Sequence, residues 1–188
     1  RLLIATRPAV TVELESAGQE AESPAQVSAE ILVAEEAAGD HAQIFTAHLR
    51  NTRYASRDTS RWKSFADFVS GSLQDPRKAV QVLERAVRHC ITSRELWLQL
   101  HLEHESADTP VSGLRDVLER GVAALRSAPG AAAEQGVQEL LLQHADAERR
   151  AAARLTRGAN QSDSWAKMRG ALAEAVKIAE AFDADGSS

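Results

Sequence analysis

Three side chains with metal-binding chemistry crowd a short stretch of the chain: His101, His104 and Glu105. Histidines three apart on a helix with a carboxylate close by can share a metal ion, and a metal-dependent helical enzyme is one reading of them. The H-E-x-x-H order is absent, and no third ligand lies near in sequence. A solvated helix face opposite Trp97 is therefore the expectation. His89 and Cys90 set a base beside a thiol, but neighbours on a helix point apart. Cys90 continues the stripe of Leu83 and Val87, which places it in the core. His41, His48 and His144 stand alone. The sequence has no G-x-S-x-G elbow, no phosphate-binding glycine loop and no G-x-G-x-x-G turn, and its ten glycines are expected at helix ends rather than in clusters. No catalytic, cofactor-binding or metal-ligating set is expected, and the chain reads as a non-enzyme.

Charge is the other chemistry on offer. The 188 residues sum to −5, yet residues 1–49 hold two bases against eight acids and residues 95–188 hold ten against fifteen, whereas residues 50–94 hold ten bases against four acids. Within that middle segment Arg53, Arg57, Arg61, Lys63, Arg77, Lys78, Arg85 and Arg88 form a candidate interaction surface, flanked by Arg50 and Arg94. Such a segment suits RNA phosphate, an acidic protein surface, or acidic helices of the chain itself. Tyr54 is the one aromatic expected to be free to stack on a base.

These residues need elements to hold them, and the sequence repeats its instructions. Trp62 recurs as Trp97, and Val82-Leu83-Glu84-Arg85-Ala86-Val87 recurs as Val117-Leu118-Glu119-Arg120-Gly121-Val122, both 35 residues later. A period between about 20 and 50 residues marks a stacked array. Trp62, Phe65 and Phe68 lie on one helical face, as do Trp97 and Leu100, and a second helix in each unit carries Leu83 and Val87 or Leu118 and Val122. These nine residues are the expected repeat core, and all three tryptophans are read as packing residues. The predicted fold is all-α, an array of antiparallel helix pairs whose clearest units are 58–92 and 93–127. Hydrophobic content of 44% with only 4% aromatic agrees, because alanine and leucine favour helices.

Asp40, either Thr59 or Asp58, and Asp75-Pro76 are predicted to start helices, as are Ser93 and Asp108-Thr109-Pro110. Ser23 caps a helix from Pro24 with Val27, Ile31 and Ala34 inward, and Ile44, Phe45 and Leu49 form the apolar side of the next. Downstream, Val137, Leu140, Leu141 and Ala145 make a further helix, 158–162 a loop, and Trp165, Met168, Leu172, Val176 and Ala179 the stripe of a last helix. Residues 1–23 read as linker or disordered, 24–182 as the repeat domain, and 183–188 as a disordered tail. One cysteine excludes an internal disulfide. No run is long and apolar enough to span a membrane. The chain begins at Arg1 and reads as a piece of a longer protein.

W-x-x-F-x-x-F at Trp62–Phe68, a break at 71–75, and A-V-Q-V-L-E-R-A-V at Ala79–Val87 together resemble the half-a-TPR (HAT) repeat of RNA-processing proteins. Arg53-Tyr54 ahead of Trp62, and Cys90 seven residues before Trp97, add to the likeness, which covers roughly residues 44–125. The sequence departs from the pattern where Val69 and His104 stand for an acid and where Leu83 and Leu118 stand for an aromatic. The resemblance implies a HAT-like α-solenoid and a nuclear scaffold of a pre-mRNA splicing factor of the U1 small nuclear ribonucleoprotein type. It further implies binding to protein subunits of an RNA-processing complex, homodimerisation, and no cofactor. The alternative it implies is a HAT-repeat RNA-binding protein of RNA 3′-end processing or organellar RNA stability.

Overall fold

The structure is a computed structural model that describes residues 24–128, 130–154 and 159–185, and the expectations placed on residues 1–23, including the Ser23 cap, lie outside these. Eight α-helices follow one another: α1 Pro24–Ala38, α2 His41–Tyr54, α3 Thr59–Asp67, α4 Pro76–His89, α5 Arg94–Ser106, α6 Val111–Arg126, α7 Ala131–Arg154 and α8 Ala159–Asp185. No strand occurs among the described residues. Each helix packs chiefly on the next in sequence, and α5 also packs on α3 and α7. Consecutive helices that pack after connections of a few residues run antiparallel.

The starts explain the spacing. Asp40 accepts hydrogen bonds from the Ala42 and Gln43 amides, Asp58 from Ser60, and Asp75 from Lys78, so carboxylates satisfy backbone donors that a helix leaves open. Ser93 and Pro110 begin α5 and α6 without a side-chain cap bond. First helices begin at Pro24, Thr59 and Arg94 and second helices at His41, Pro76 and Val111, so a 35-residue step separates the members of each series. The α1–α2 pair therefore keeps the register of the two units read from sequence. α3 ends in a wide π turn at Phe68–Ser72, where the Leu73 amide reaches back to the Phe68 carbonyl at 3.1 Å.

Both units close on the same latch. Trp62 is 5% exposed and donates its Nε1–H to the Ser56 carbonyl at 2.8 Å, and Trp97 is 4% exposed and donates to Ile91 at 2.8 Å. Phe65, Leu83, Leu100 and Val87 are buried with them, while Phe68, Leu118 and Val122 are half-buried against the same core. Gly121 stands where the previous unit has Ala86, and a Cβ there would lie 2.6 Å from Leu140 Cδ2 and 3.2 Å from the Trp97 ring. Its lack of a side chain lets α6 approach α5 and α7. The burial order of Leu96, Trp97 and Leu100 in α5 returns in α7 as Gly136, Val137 and Leu140, now 40 residues on.

Several faces differ from expectation. In α1 the buried residues are Ser28 and Leu32 and Val27 is exposed, because α2 is the neighbour it packs on. In α2 Leu49 is exposed, and the inner face carries His48, whose ring stacks on Phe65 and Phe68 at 5.1 and 5.2 Å. In α8 the inner face is Ser164, Ala171, Ala175 and Ile178, one residue round from the expected stripe, with Leu172 and Val176 outside. Small side chains let α8 lie close along α7, which the larger ones on the neighbouring stripe would prevent. α8 also begins at Ala159, inside the expected loop, and continues to Asp185, three residues into the expected tail.

Candidate interaction surface

The C-terminal ends of α2 and α4 frame a groove of about 650 Å3. α2 contributes Leu49, Arg50, Arg53 and Tyr54, which helical spacing of three and four puts on adjoining rows, and α4 contributes Arg85 and His89, four apart. Trp62 also lines it, 5% exposed, with the imidazole of His89 nearly parallel to its ring and the centroids 5.7 Å apart. Among the described residues no carboxylate lines the groove. Cations at the last turns of α2 and α4 suit the negative ends of those helices, which accounts for their presence but not for the lack of acidic partners.

The predicted basic surface is only partly brought together. Arg53 and Arg85 line this groove, and Arg57 lines a neighbouring one of about 620 Å3 that shares His89. Arg61 turns back to Asp58 at 3.1 Å and to Asn51, and Lys78 pairs with Asp75 at 3.0 Å. Lys63, Arg77 and Arg88 are exposed and line neither groove. Arg50, Arg53, Arg57, Arg85 and Arg88 form no ion pair with a described residue. Leu49 and His89 are the members that sequence reasoning missed, the first because it was assigned inward and the second because it was weighed only beside Cys90.

The histidines read for metal binding do something else. His101 is 0% exposed, not on a solvated face, and its Nε2 lies 3.0 Å from His144 Nδ1. His144 Nε2 is in turn 3.4 Å from Glu148, a fully buried carboxylate gripped by Arg115 at 2.5 and 3.2 Å. His104 contacts Thr109 at 3.1 Å, and Glu105 accepts two hydrogen bonds from Arg150 at 2.6 and 2.8 Å. Burial pulls the His101 pKa down to about 4, and the hydrogen bond from Arg150 holds the Glu105 carboxyl below its usual range. Among the described residues no three metal-ligating side chains converge on a point. Cys90 is half-buried against the core with its Sγ 3.6 Å from the Ser56 carbonyl.

No protein-family model matches this chain, and no curated protein matches it in sequence. Among solved structures it is similar to the crystal structure of MamA protein, at 15% identity and a TM-score of 0.44, over 84% of this chain and 88% of that one. Likeness at that level carries nothing about function. The all-α fold rests on the helices themselves, and none of the described helices is long and apolar enough to cross a membrane.

Proposed function

We propose that this chain is a non-catalytic helical-repeat scaffold that holds protein partners within a pre-mRNA splicing assembly of the U1 small nuclear ribonucleoprotein type. Within the HAT family the residues quoted above are most similar to pre-mRNA-processing factor 39, and the nuclear setting comes from that resemblance. The observation that supports a repeat scaffold is the doubled latch, Trp62 on Ser56 and Trp97 on Ile91, in two helix pairs 35 residues apart. An array of such pairs keeps each unit in contact with its neighbours and leaves extended faces for partners.

Direct RNA binding is the second reading, favoured by the arginines that have no ionic partner among the described residues. Against it, Tyr54 is the only exposed Phe, Tyr or Trp among the residues whose side chains are described, whereas single-stranded nucleic acid sites stack successive bases on several aromatic rings. Capture of the tagged chain from nuclear extract tests the choice. Proteins of the U1 particle should co-purify and stay bound after nuclease digestion. Their release by nuclease, or tight single-stranded RNA binding that falls by orders of magnitude with salt, overturns the protein-scaffold reading.

A further inference from the structure

The groove between α2 and α4 has a counterpart inside the molecule that is already filled. The register that equates α2, α4 and α6 aligns Leu49 with Glu84 and Glu119, and Arg50 with Arg85 and Arg120. One unit on, Arg120 reaches across to Glu84 and grips it with two hydrogen bonds, at 3.1 and 2.7 Å, while its guanidinium lies 5.8 Å from the centroid of the Trp97 ring. Glu84 is consequently held below the ordinary carboxylate range. One unit back, Arg85 holds the equivalent position and lines the groove together with Trp62, but the position that should supply its carboxylate is Leu49. The arginine is exposed, and the leucine opens an apolar spot at the groove wall.

We infer that this groove binds an acidic segment of a partner protein, a glutamate or aspartate of which takes on Arg85 the part that Glu84 plays on Arg120. The inference rests on the scaffold reading above and names the chemistry of the partner. Arg50 and Arg53 stand beside the groove to receive further carboxylates, and a planar guanidinium matches a carboxylate with two parallel hydrogen bonds. Leu49 and Tyr54 offer contact to a bulky apolar side chain of the same segment, which a polyanion without such groups cannot use. A peptide alternating acidic and large apolar residues fits both surfaces. Nucleic acid fits only the first, because the Trp62 ring is 5% exposed and latched to the Ser56 carbonyl.

The test uses the full chain, a fluorescent synthetic peptide alternating glutamate with leucine and phenylalanine, its lysine-for-glutamate analogue, and an oligouridine. The acidic peptide should bind with micromolar affinity and the lysine analogue should not bind. Arg85→Glu should weaken the acidic peptide about tenfold or more, a change in keeping with loss of a two-pronged charged hydrogen bond. Leu49→Glu is the sharper variant: it restores the residue found at the equivalent place of the next unit, so it should close the site and abolish binding. Leu49→Gln, which adds no charge, should retain most of it. Helical circular dichroism should be the same for all three variants, since both positions are exposed. Tighter binding of oligouridine than of the acidic peptide overturns the proposal, as does peptide affinity unchanged by Arg85→Glu or by Leu49→Glu. If the peptide fails while U1 proteins still co-purify after nuclease, the groove assignment falls and the scaffold reading stands.

Discussion

The α3–α4 unit and the α5–α6 unit share a helix plan and a tryptophan latch, yet they place their arginines differently. From α5 onward, Arg115 of α6 grips Glu148 of α7, Arg150 of α7 grips Glu105 of α5, and Arg126 of α6 reaches Glu174 of α8 at 3.1 Å. In the basic stretch Arg50, Arg53, Arg57 and Arg85 have no ionic partner among the described residues. One scaffold position can thus fasten helices together or present charge to the outside. Two positions differ: Arg120 is held by Glu84 and by Asp116 one turn back, where the places around Arg85 carry Leu49 and Gln81.

If the two units are alike in packing and differ only in charge, their tryptophans should be interchangeable in cost. Trp62→Ala and Trp97→Ala should each lower stability by about 3–5 kcal/mol in urea unfolding, because each removes a buried ring and leaves a carbonyl without its donor. A cost for one near zero would break the equivalence. The charged side of the comparison is probed by Glu148→Ala, which takes the carboxylate from His144 and leaves Arg115 only Asp163, at 2.7 Å. A loss of about 3 kcal/mol is expected. A neutral result would mean that the downstream ion pairs are ornaments.

Acid should strike both regions. Burial lowers the pKa of His48 and of His101 to about 4, from an ordinary value of 6.5. Above pH 6.5 both folded and unfolded forms are neutral and these groups contribute nothing. As the pH falls below 6.5 the unfolded chain takes up protons that the folded chain refuses, so stability drops until about pH 4 and then levels off. At pH 5 the loss is about 2 kcal/mol for each histidine. His48 faces Glu36 at 3.5 Å, and His101 faces His144, with Glu105 and Arg150 acting on it more weakly. Urea midpoints between pH 7.5 and 4 check this, and His48→Phe should remove the share of the first region alone.

Smaller changes refine the picture. Gly121→Ala forces a methyl against Leu140 and Trp97, and even after the gain in helix propensity it should cost about 1 kcal/mol. Smallest of all, Arg53→Ala and Arg85→Ala should shift stability by less than about 0.5 kcal/mol, since each is exposed and without an ionic partner among the described residues. A larger loss from Arg85→Ala would show that it already has an internal role like that of Arg120.

The repeat itself was written in the sequence, because tryptophan and the Leu-Glu-Arg run are rare enough to mark a register, and Asp40, Asp58 and Asp75 announce helix starts by chemistry that needs no distant partner. The inner faces of α1 and α8 were harder to read. An alanine-rich helix offers neighbouring stripes of similar hydrophobicity, and in α8 the closeness of α7, absent from local sequence, selects the stripe with the smaller side chains. His101 read as a surface residue and His48 as an isolated one because their partners lie on other helices, 43 positions away for His144, and in another unit for Phe65. The groove escaped notice for the same reason. Leu49 is an ordinary apolar residue until α4 sets Arg85 beside it.

The indole latches also give the molecule a natural optical gauge. Trp62 and Trp97 are both shielded from water and hydrogen-bonded to a carbonyl, whereas Trp165 on α8 is partly exposed and makes no such bond among those described. Two emitters thus sit inside successive units and a third rides on the final helix. With the other two replaced by phenylalanine in turn, fluorescence can follow the opening of each stage of the array separately, without any label attached.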